Sequence, residues 1–537
     1  MSAPAKVDEA SVLIAGGGLV GLSTALFLAQ HGVRSLVIEK RRGGSILPRA
    51  AHFHLRTLEL FRLAGIEDEV KRRSSVEFVP EGPIVDMENL GGKKHGDIIG
   101  SLNEGVEILS PCRRLFIKQS SLEPILRRQV KRKGTHVLDG HEIVDIRQDS
   151  SSASVIARDV HSGAERLLRG QYLVAADGAH SIVRDWLGIP LEGRSVFSNS
   201  ITIYFKADIS RYVGDNSFSV AYVNNADLGG IFRLSRRLKS GFLIVNRVGN
   251  PLKDPDATNP AKEVGEARLK QLVRCGIGVA DLPVKILAVA RWHATAEVAA
   301  RFGHGRIFLA GDAAHLMPPN GGFGGNTGIQ DAHNLAWKLA LALKQVSPPT
   351  LLETYETERR PIACLTAEQA YTRYVLRTAP YLGVNGVQAI VPDLNLELGY
   401  LYDSPAILSE ADGAQLHDDP HRTCGRPGSR APHLWLEQEG RRISTLDLFG
   451  RSPVLITGPG GGAWCEAARN HRNLDVACYR IGVDVDDLST RFGQAYGLSA
   501  GGASLVRPDG FVAWRAPLMA SDPERALKHA LSSFLMC

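Results

Sequence analysis

Apolar and polar positions at the start of the chain predict strand, helix and strand in turn. Ser11–Ala15 is a short and nearly continuous apolar run, which is typical of a buried parallel strand. Leu22–Gln30 has the composition of a helix, and Ser35–Glu39 is a second short apolar run. This order predicts a βαβ unit at the N-terminal end.

The segment between the first strand and the helix is rich in glycine. Gly16, Gly18 and Gly21 match the pattern GxGxxG, and Glu39 ends the second strand. Such glycines allow a tight turn and a close approach of the backbone to a pyrophosphate, while the carboxylate can bind ribose hydroxyls. We expect the adenosine half of a dinucleotide, NAD or FAD, to be bound here by Gly16, Gly18, Leu19, Val20, Gly21, Glu39 and Lys40.

Two later strands also end at an aspartate beside a glycine. Tyr172–Ala176 leads into Asp177, and Arg306–Ala310 leads into Gly311-Asp312. The loop Pro318–Asn326 then holds two prolines and four glycines, and a helix pattern begins at Gly328. A loop with so little side-chain bulk suits backbone contact with a flat ring, and the helix N-terminus would stabilise negative charge on that ring.

The rest of the chain divides into a β-rich centre and a tail of different composition. Ser200–Lys206 and Gly241–Val245 predict strands in the centre. In the tail, Ser452–Thr457 and Asn473–Gly482 predict strands around a helix, and Leu505–Arg515 predicts two strands joined at a Pro-Asp-Gly turn.

Composition excludes several classes of protein. The chain has 537 residues, enough for roughly three to four domains. Hydrophobic residues make up 44% and charged residues 22%, which is typical of a folded globular protein. A net charge of +6 is too weak for a nucleic-acid-binding protein, although it favours an anionic cofactor. Without an apolar run of membrane-spanning length or a signal peptide, we expect a cytoplasmic protein that does not enter a membrane.

The cysteines give no pattern that indicates chemistry. There are seven, scattered along the chain, and none forms CxxC. We therefore expect neither a disulfide framework nor a metal site. Cys465 and Cys478 in particular are interpreted as unreactive thiols.

Taken together, Gly16–Gly21, Asp177-Gly178 and Gly311-Asp312 resemble the three signatures of the single-component FAD-dependent aromatic hydroxylases (group A flavoprotein monooxygenases). Within that family the tail resembles the phenol hydroxylase and aromatic polyketide hydroxylase subgroup. The resemblance implies an α/β fold: a discontinuous Rossmann-like FAD-binding domain (1–190 and 286–400), an inserted β-rich substrate domain (191–285) and a C-terminal thioredoxin-like domain (401–537) without CxxC.

The resemblance also implies roles for individual residues. Arg49 would lie near the FAD pyrophosphate and the incoming NADPH, Gln119 would contact the ribityl chain, and Asp177 would support both cofactors. Asp312 and the glycine-rich loop, which is Pro318–Asn326, would hold the isoalloxazine ring. The residues expected in this second half of the site are Gly311, Asp312, Pro319, Gly322, Gly324, Gly325, Asn326 and Thr327.

The implied reaction begins with reduction of FAD by NADPH or NADH. O2 then forms a flavin C4a-hydroperoxide, which hydroxylates a phenolic or polycyclic, polyketide-like aromatic substrate. Baeyer–Villiger insertion, oxidative decarboxylation and a flavin-binding accessory role remain alternatives. We expect a monomer or homodimer. His52 and His54 are the candidate bases, and the candidate substrate contacts are Pro318, Phe205, Tyr222, Phe232 and Trp292.

Overall fold

A six-stranded sheet forms the centre of the N-terminal domain. Five of its strands are parallel, because short apolar strands buried on both faces alternate with helices that cover them. The computed structural model describes residues 8–44, 51–79, 81–213, 218–249, 265–410, 415–471 and 474–537. In order across the sheet, the strands are Gly303–His304, Ile307–Leu309, Tyr172–Ala175, Val12–Ala15, Ser35–Glu39 and His136–Asp139.

A second, eight-stranded sheet lies over this domain. Its strands, in order, are His315–Leu316, Lys285–Ala299, Leu191–Lys206, Ser240–Val248, Leu228–Leu234, Val220–Asn224, Ile84–Met87 and Lys94–Ile99. It therefore extends beyond the 191–285 segment expected for the substrate domain, at both its ends. One face packs against the helix Glu266–Ile277 through an apolar core, and the other face carries several polar residues.

The C-terminal domain has the strand order and directions of a thioredoxin core. Val454–Thr457 pairs in parallel with Ala477–Arg480 and antiparallel with Ala503–Val506, which pairs with Val512–Ala516. The helices Gly462–Asn470 and Pro523–Leu535 pack against this sheet. Smaller sheets elsewhere are formed by Asp8–Glu9, Glu165–Gly170, Ala153–Asp159 and His141–Gln148, by His52–Phe53 and Leu115–Phe116, and by Arg441–Ser444, Trp435–Gln438 and Asp486–Asp487.

Helices connect these sheets. The α-helices are Leu19–Gln30, Leu55–Leu63, Glu67–Glu77, Gln119–Arg132, Ile182–Trp186, Ser210–Val213, Glu266–Ile277, Phe323–Leu343, Thr354–Arg377, Asp393–Glu397, Gly462–Asn470, Phe492–Tyr496 and Pro523–Leu535. Short 3-10 turns occupy Val106–Ile108, Gly311–Ala313, Pro349–Glu353, Pro380–Leu382 and Thr445–Leu448. No helix in the described ranges is both long and apolar enough to span a membrane.

The expectation for two cysteines was wrong. Cys465 lies in the helix Gly462–Asn470 and Cys478 in the adjacent strand, and the structure joins them in a disulfide. Their Cα atoms are 5.5 Å apart, a separation that suits such a bond. Spacing along the chain could not reveal this pair, because packing of a helix onto a sheet creates it.

Candidate active site

The residues of the three sequence signatures meet along one edge of the six-stranded sheet. Ile307–Leu309, Tyr172–Ala175, Val12–Ala15 and Ser35–Glu39 are neighbours and run in parallel, so their carboxyl ends lie side by side. Each strand leads at this edge to one part of the predicted site. In the same order, these parts are Asp312, Asp177, the turn Gly16–Gly21 and Glu39. Ligands of open α/β sheets bind at this edge.

The glycines of the first turn serve two different purposes. A Cβ at Gly16, where φ is +97°, would lie 2.3 Å from the carbonyl oxygen of Ala176, and one at Gly21 would lie 1.9 Å from the carbonyl oxygen of Gly16. These two glycines are required by the packing of the protein itself. A Cβ at Gly18 would meet nothing closer than Glu123 Oε1 at 3.7 Å. The open space at Gly18 suits a ligand that approaches the backbone, as a pyrophosphate does.

Glu39 fastens the turn to the neighbouring strand. Its Oε2 accepts a hydrogen bond from the Gly17 N–H at 2.6 Å, and its Oε1 accepts one from the Arg41 N–H at 2.8 Å. Lys40, next to it, is exposed. Across the turn, the Gln119 side-chain amide donates to Glu123 Oε1 at 2.7 Å. Arg49 lies outside the described residues.

Asp177 is half-buried, and one of its carboxylate oxygens is a buried acceptor that is not used. Its Oδ2 accepts a hydrogen bond from the Val183 N–H at 3.3 Å, while its Oδ1 has no hydrogen-bond partner among the described residues. Burial raises the pKa of this carboxyl group. An unsatisfied buried acceptor is costly in a folded protein, and a hydroxyl or amide donor of a bound cofactor would satisfy it.

The helix that follows the glycine-rich loop begins earlier in the chain than expected. The helix starts at Phe323, so Gly324, Gly325 and Asn326 form its first turn rather than part of the loop. Gly322, with φ of +73°, is its N-cap, and a Cβ at Gly324 would meet only Met317 at 3.7 Å. Amide groups at a helix N-terminus with open space before them suit a ring that becomes negatively charged on reduction.

Asn326 and His54 hold this loop in place. Asn326 Nδ2 donates to the carbonyl oxygens of His52 and Gly322, at 2.9 and 2.7 Å, and its Oδ1 accepts from the His54 N–H at 3.0 Å. The His54 Nε2 lies 2.9 Å from the carbonyl oxygen of Gly321. Since a carbonyl can only accept, Nε2 carries the proton, and His54 is placed to position the loop.

A buried ionic group supports the strand end beneath this loop. Asp331 accepts hydrogen bonds from the Gly311 N–H at 3.1 Å, His315 Nε2 at 2.7 Å and Arg359 Nε at 2.8 Å. Burial alone would raise the pKa of Asp331, but His315 and Arg359 hold it below its usual value. The carbonyl oxygen of Thr327 accepts from Arg359 as well. Asp312, one residue beyond Gly311, is exposed, as is Pro319.

His52 lies between the loop and an aromatic ring. Its imidazole stacks on Phe116 with centroids 4.5 Å apart, and a Cβ at Gly322 would lie 3.2 Å from the His52 Cβ. Burial, followed by the nearby charge of His54, holds the pKa of His52 well below its usual value. Its Nε2 has no partner in the described part of the chain. A histidine held neutral in this way is a weak base and a good hydrogen-bond acceptor.

Four of the five predicted substrate contacts lie on the eight-stranded sheet, divided between its two faces, and the fifth lies in the glycine-rich loop. Tyr222 lies on the face toward the glycine-rich loop, where its hydroxyl oxygen is 3.4 Å from Asn320 Nδ2. Trp292, half-buried, donates through Nε1 to Thr202 Oγ1 at 3.1 Å on the same face. Pro318 is buried within the loop.

The other two predictions were wrong. Phe205 and Phe232 are fully buried in the core between the sheet and the helix Glu266–Ile277. A Cβ at Gly276 of this helix would lie 2.5 Å from the Phe232 ring. Side chains alternate between the faces of a strand, so both rings point away from the loop.

Four polar residues that no sequence motif marks lie on or against the face of the eight-stranded sheet that carries Tyr222. They are buried, and each has at least one polar atom without a partner in the described ranges. The only available signal was a polar residue at an inward position of an otherwise apolar strand. Arg233 and Asn246 lie on strands of the sheet. Asn320 lies in the glycine-rich loop, and Thr372 lies in the helix Thr354–Arg377.

Comparison with known proteins agrees with this geometry. Residues 9–370 match the family model described as an FAD binding domain, and residues 424–535 match that of the aromatic-ring hydroxylase C-terminal domain. A 4-methyl-5-nitrocatechol 5-monooxygenase from Burkholderia sp is 47% identical over 98% of both chains. An aklavinone 12-hydroxylase from Streptomyces purpurascens is 35% identical over 98% of this chain and 99% of its own.

A solved structure extends the agreement to the whole fold. The ternary complex of aklavinone-11 hydroxylase with FAD and aklavinone superposes with a TM-score of 0.92 at 34% identity, covering 99% of each chain. The expected fold class is confirmed. The open glycine backbone at Gly18, the unsatisfied oxygen of Asp177 and the open space at Gly324 fit a bound FAD. The chain belongs to the FAD-dependent aromatic-ring hydroxylases, monooxygenases that use FAD, a reduced nicotinamide and O2.

Proposed function

We propose that this monooxygenase hydroxylates a single-ring phenol or catechol that is bound as its phenolate. Identity is 47% to the enzyme named for a nitrocatechol, against 35% to the aklavinone 12-hydroxylase. This difference favours a small substrate over a polycyclic one. We also expect a monomer or homodimer in the cytoplasm, where reduced nicotinamide is produced.

One observation carries the proposal. The Tyr222 hydroxyl is buried beside Asn320 of the glycine-rich loop, and burial raises the pKa of this phenol while Arg377 and Arg373 oppose the rise. A phenolic substrate at this end of the loop would enter the same field. Because positive charge favours the ionised form, the two guanidinium groups would help to remove the phenolic proton.

FAD and the side chains would contribute different parts of the reaction. Bound FAD supplies hydride acceptance and the activation of O2, which no side chain here provides. The first turn of the helix Phe323–Leu343 would hold the flavin. Tyr222 and Asn320 orient the substrate hydroxyl, and the buried inner face of the sheet excludes water from the reacting atoms.

The test is NADPH and NADH oxidation by the purified holoenzyme with phenol, catechol, 4-nitrocatechol and a dihydroxyanthraquinone. The proposal predicts a severalfold rise with a single-ring compound and a product that has gained one oxygen atom by mass spectrometry. Added catalase separates this from unproductive peroxide release. A rise with the anthraquinone alone would overturn the proposed size class, and a lactone product would indicate Baeyer–Villiger insertion instead.

Tyr222→Phe tests the residue that carries the proposal. The phenol of Tyr222 should orient the substrate hydroxyl, so we expect a fall in kcat together with a shift of its pH dependence toward higher pH. Tyr204→Phe, on the strand Leu191–Lys206 three places away in the same sheet, is the matched control. Equal effects of the two substitutions would contradict the assignment.

A further inference from the structure

Arg233 lies on the inner face of the eight-stranded sheet, one step from Tyr222. Ile231 pairs with Tyr222 across neighbouring strands, and Arg233 follows Ile231 by two residues. Residues in this diagonal relation share a face and lie roughly 7–8 Å apart. Arg233 is therefore beside the proposed substrate site, rather than in the core with Phe232.

The guanidinium of Arg233 is enclosed by aromatic rings. Its Cζ lies 3.5 Å from the ring centroid of Phe116 and 4.3 Å from that of Phe78, and the residue is only 4% exposed. Phe116 also stacks with His52, which touches the glycine-rich loop. The cation is thus held rigidly near the loop, and its desolvation cost has already been met on folding.

This cation lacks a partner in the protein. Its Nε and Nη2 are buried and have no hydrogen-bond acceptor among the described residues. The negative charge of Glu77 raises the pKa of Arg233, but Glu77 makes its hydrogen bonds elsewhere. It accepts from Arg73 Nε and the Lys118 N–H, each at 2.9 Å, and from the Ser121 hydroxyl. Burial holds the pKa of Arg233 well below its usual value, as expected for a guanidinium without a facing anion.

The identity of the two unpaired atoms defines what would bind. Nε and Nη2 form one side of the guanidinium, where two parallel N–H groups match a planar group with two oxygens. We propose that Arg233 binds a planar two-oxygen substituent, nitro or carboxylate, on the substrate ring. This inference rests on the proposed single-ring function and names the substituent that the site selects.

The test uses oxidised holoenzyme, so that binding is measured apart from turnover. Catechol, 4-nitrocatechol and 3,4-dihydroxybenzoate are titrated, and the change in the flavin absorption spectrum gives each Kd. The wild-type enzyme should bind one or both of the substituted rings about 10- to 100-fold more tightly than catechol, the range expected for hydrogen bonds to a charged group. The tighter ligand of the two identifies nitro or carboxylate as the substituent.

Two variants test the residue. Arg233→Met should remove the preference for the substituted ring while leaving the Kd of catechol near that of the wild type. Arg233→Lys keeps the charge but loses the paired N–H groups, so it should retain only a small part of the preference for the substituted ring. The exposed Arg237→Met is the matched control and should change neither Kd. FAD content of each purified variant reports whether the fold is intact.

Each contrary result has a distinct meaning. A wild-type enzyme without preference for either substituted ring overturns the inference, even if no variant folds. Equal weakening of all three ligands in Arg233→Lys and Arg233→Met would show a structural role only. If no single-ring compound stimulates NADPH oxidation, the proposed function fails. Stimulation by catechol and 4-nitrocatechol alike, unchanged in the variants, removes only the assignment of Arg233.

Discussion

Glu358 joins the FAD-binding domain to the C-terminal domain, and replacing it tests how strongly. It is fully buried and accepts hydrogen bonds from Arg507 Nη1 and Nη2 at 2.7 Å each and from Lys338 Nζ at 2.8 Å. Arg507 comes from the C-terminal domain and also pairs with Asp509 at 2.5 Å. The two cations and two carboxylates therefore balance.

Glu358→Gln keeps the shape of the side chain but leaves one excess buried positive charge. Burial alone would raise the pKa of Glu358, yet Arg507 and Lys338 hold it below its usual value, so the group is ionised in the folded protein. Removing one partner of a buried ion pair costs about 3–5 kcal/mol. We expect a loss of this size in the free energy of unfolding, measured by urea denaturation of the holoenzyme followed by circular dichroism.

Two further proteins make this measurement decisive. Glu165→Gln removes the same charge from an exposed pair with Arg158 and should cost less than about 1 kcal/mol. In the double variant Glu358→Gln/Lys338→Met the excess charge is gone, and the two changes should couple favourably by about 0.5–3 kcal/mol. If Glu358→Gln loses no more stability than Glu165→Gln, or the double variant gives no coupling, the charge-balance reasoning is refuted.

Three further predictions have separable outcomes. Gly18→Ala should preserve stability in urea but reduce FAD content, whereas Gly21→Ala, with its Cβ 1.9 Å from a backbone carbonyl, should lower stability itself. Asp331→Asn should release FAD and cost about 3 kcal/mol in urea denaturation, because the buried guanidinium of Arg359 loses its partner. Burial lowers the pKa of His433 to about 3, so stability present above pH 6.5 is lost as pH falls toward 3. His433→Gln should flatten that pH dependence of the urea midpoint, and the exposed His421→Gln should not.

The cofactor edge was predictable because its signals are local. Each signature is a strand followed directly by a turn, so the residues that carry it are contiguous. Ser35–Glu39 was placed with correct bounds, and Val12–Ala15 within one residue. What spacing could not reveal is that Gly18 and Gly21 differ in purpose, since one faces open space and the other a carbonyl group.

The substrate side was less predictable because it depends on which face of a strand points to the loop. Phe205 is aromatic, as a substrate contact is expected to be, but it points away from the loop. The residues of the same strand that point toward the loop are Thr202 and Ser200. Thr202 contacts Trp292, and Ser200 donates to Asn246 Oδ1 at 2.9 Å. A shift of one residue moves a side chain to the opposite face, and residue type alone does not fix that choice.

Unsatisfied buried polar atoms connect the two halves of the site. Leaving such a group unpaired costs roughly 1–3 kcal/mol, and more for a charge, so folding alone does not favour it. Asp177 carries one at the end of a strand, where the sequence pattern already indicated a cofactor, and Arg233 carries two within a strand that looked like core. A bound ligand would supply the missing partners: a cofactor donor at Asp177 and, on the proposal for Arg233, a pair of acceptors on the substrate ring. In the proposed complex, the opposite polarity of these two requirements assigns the cofactor chain to one end of the site and the oxygen-bearing substituent of the substrate ring to the other.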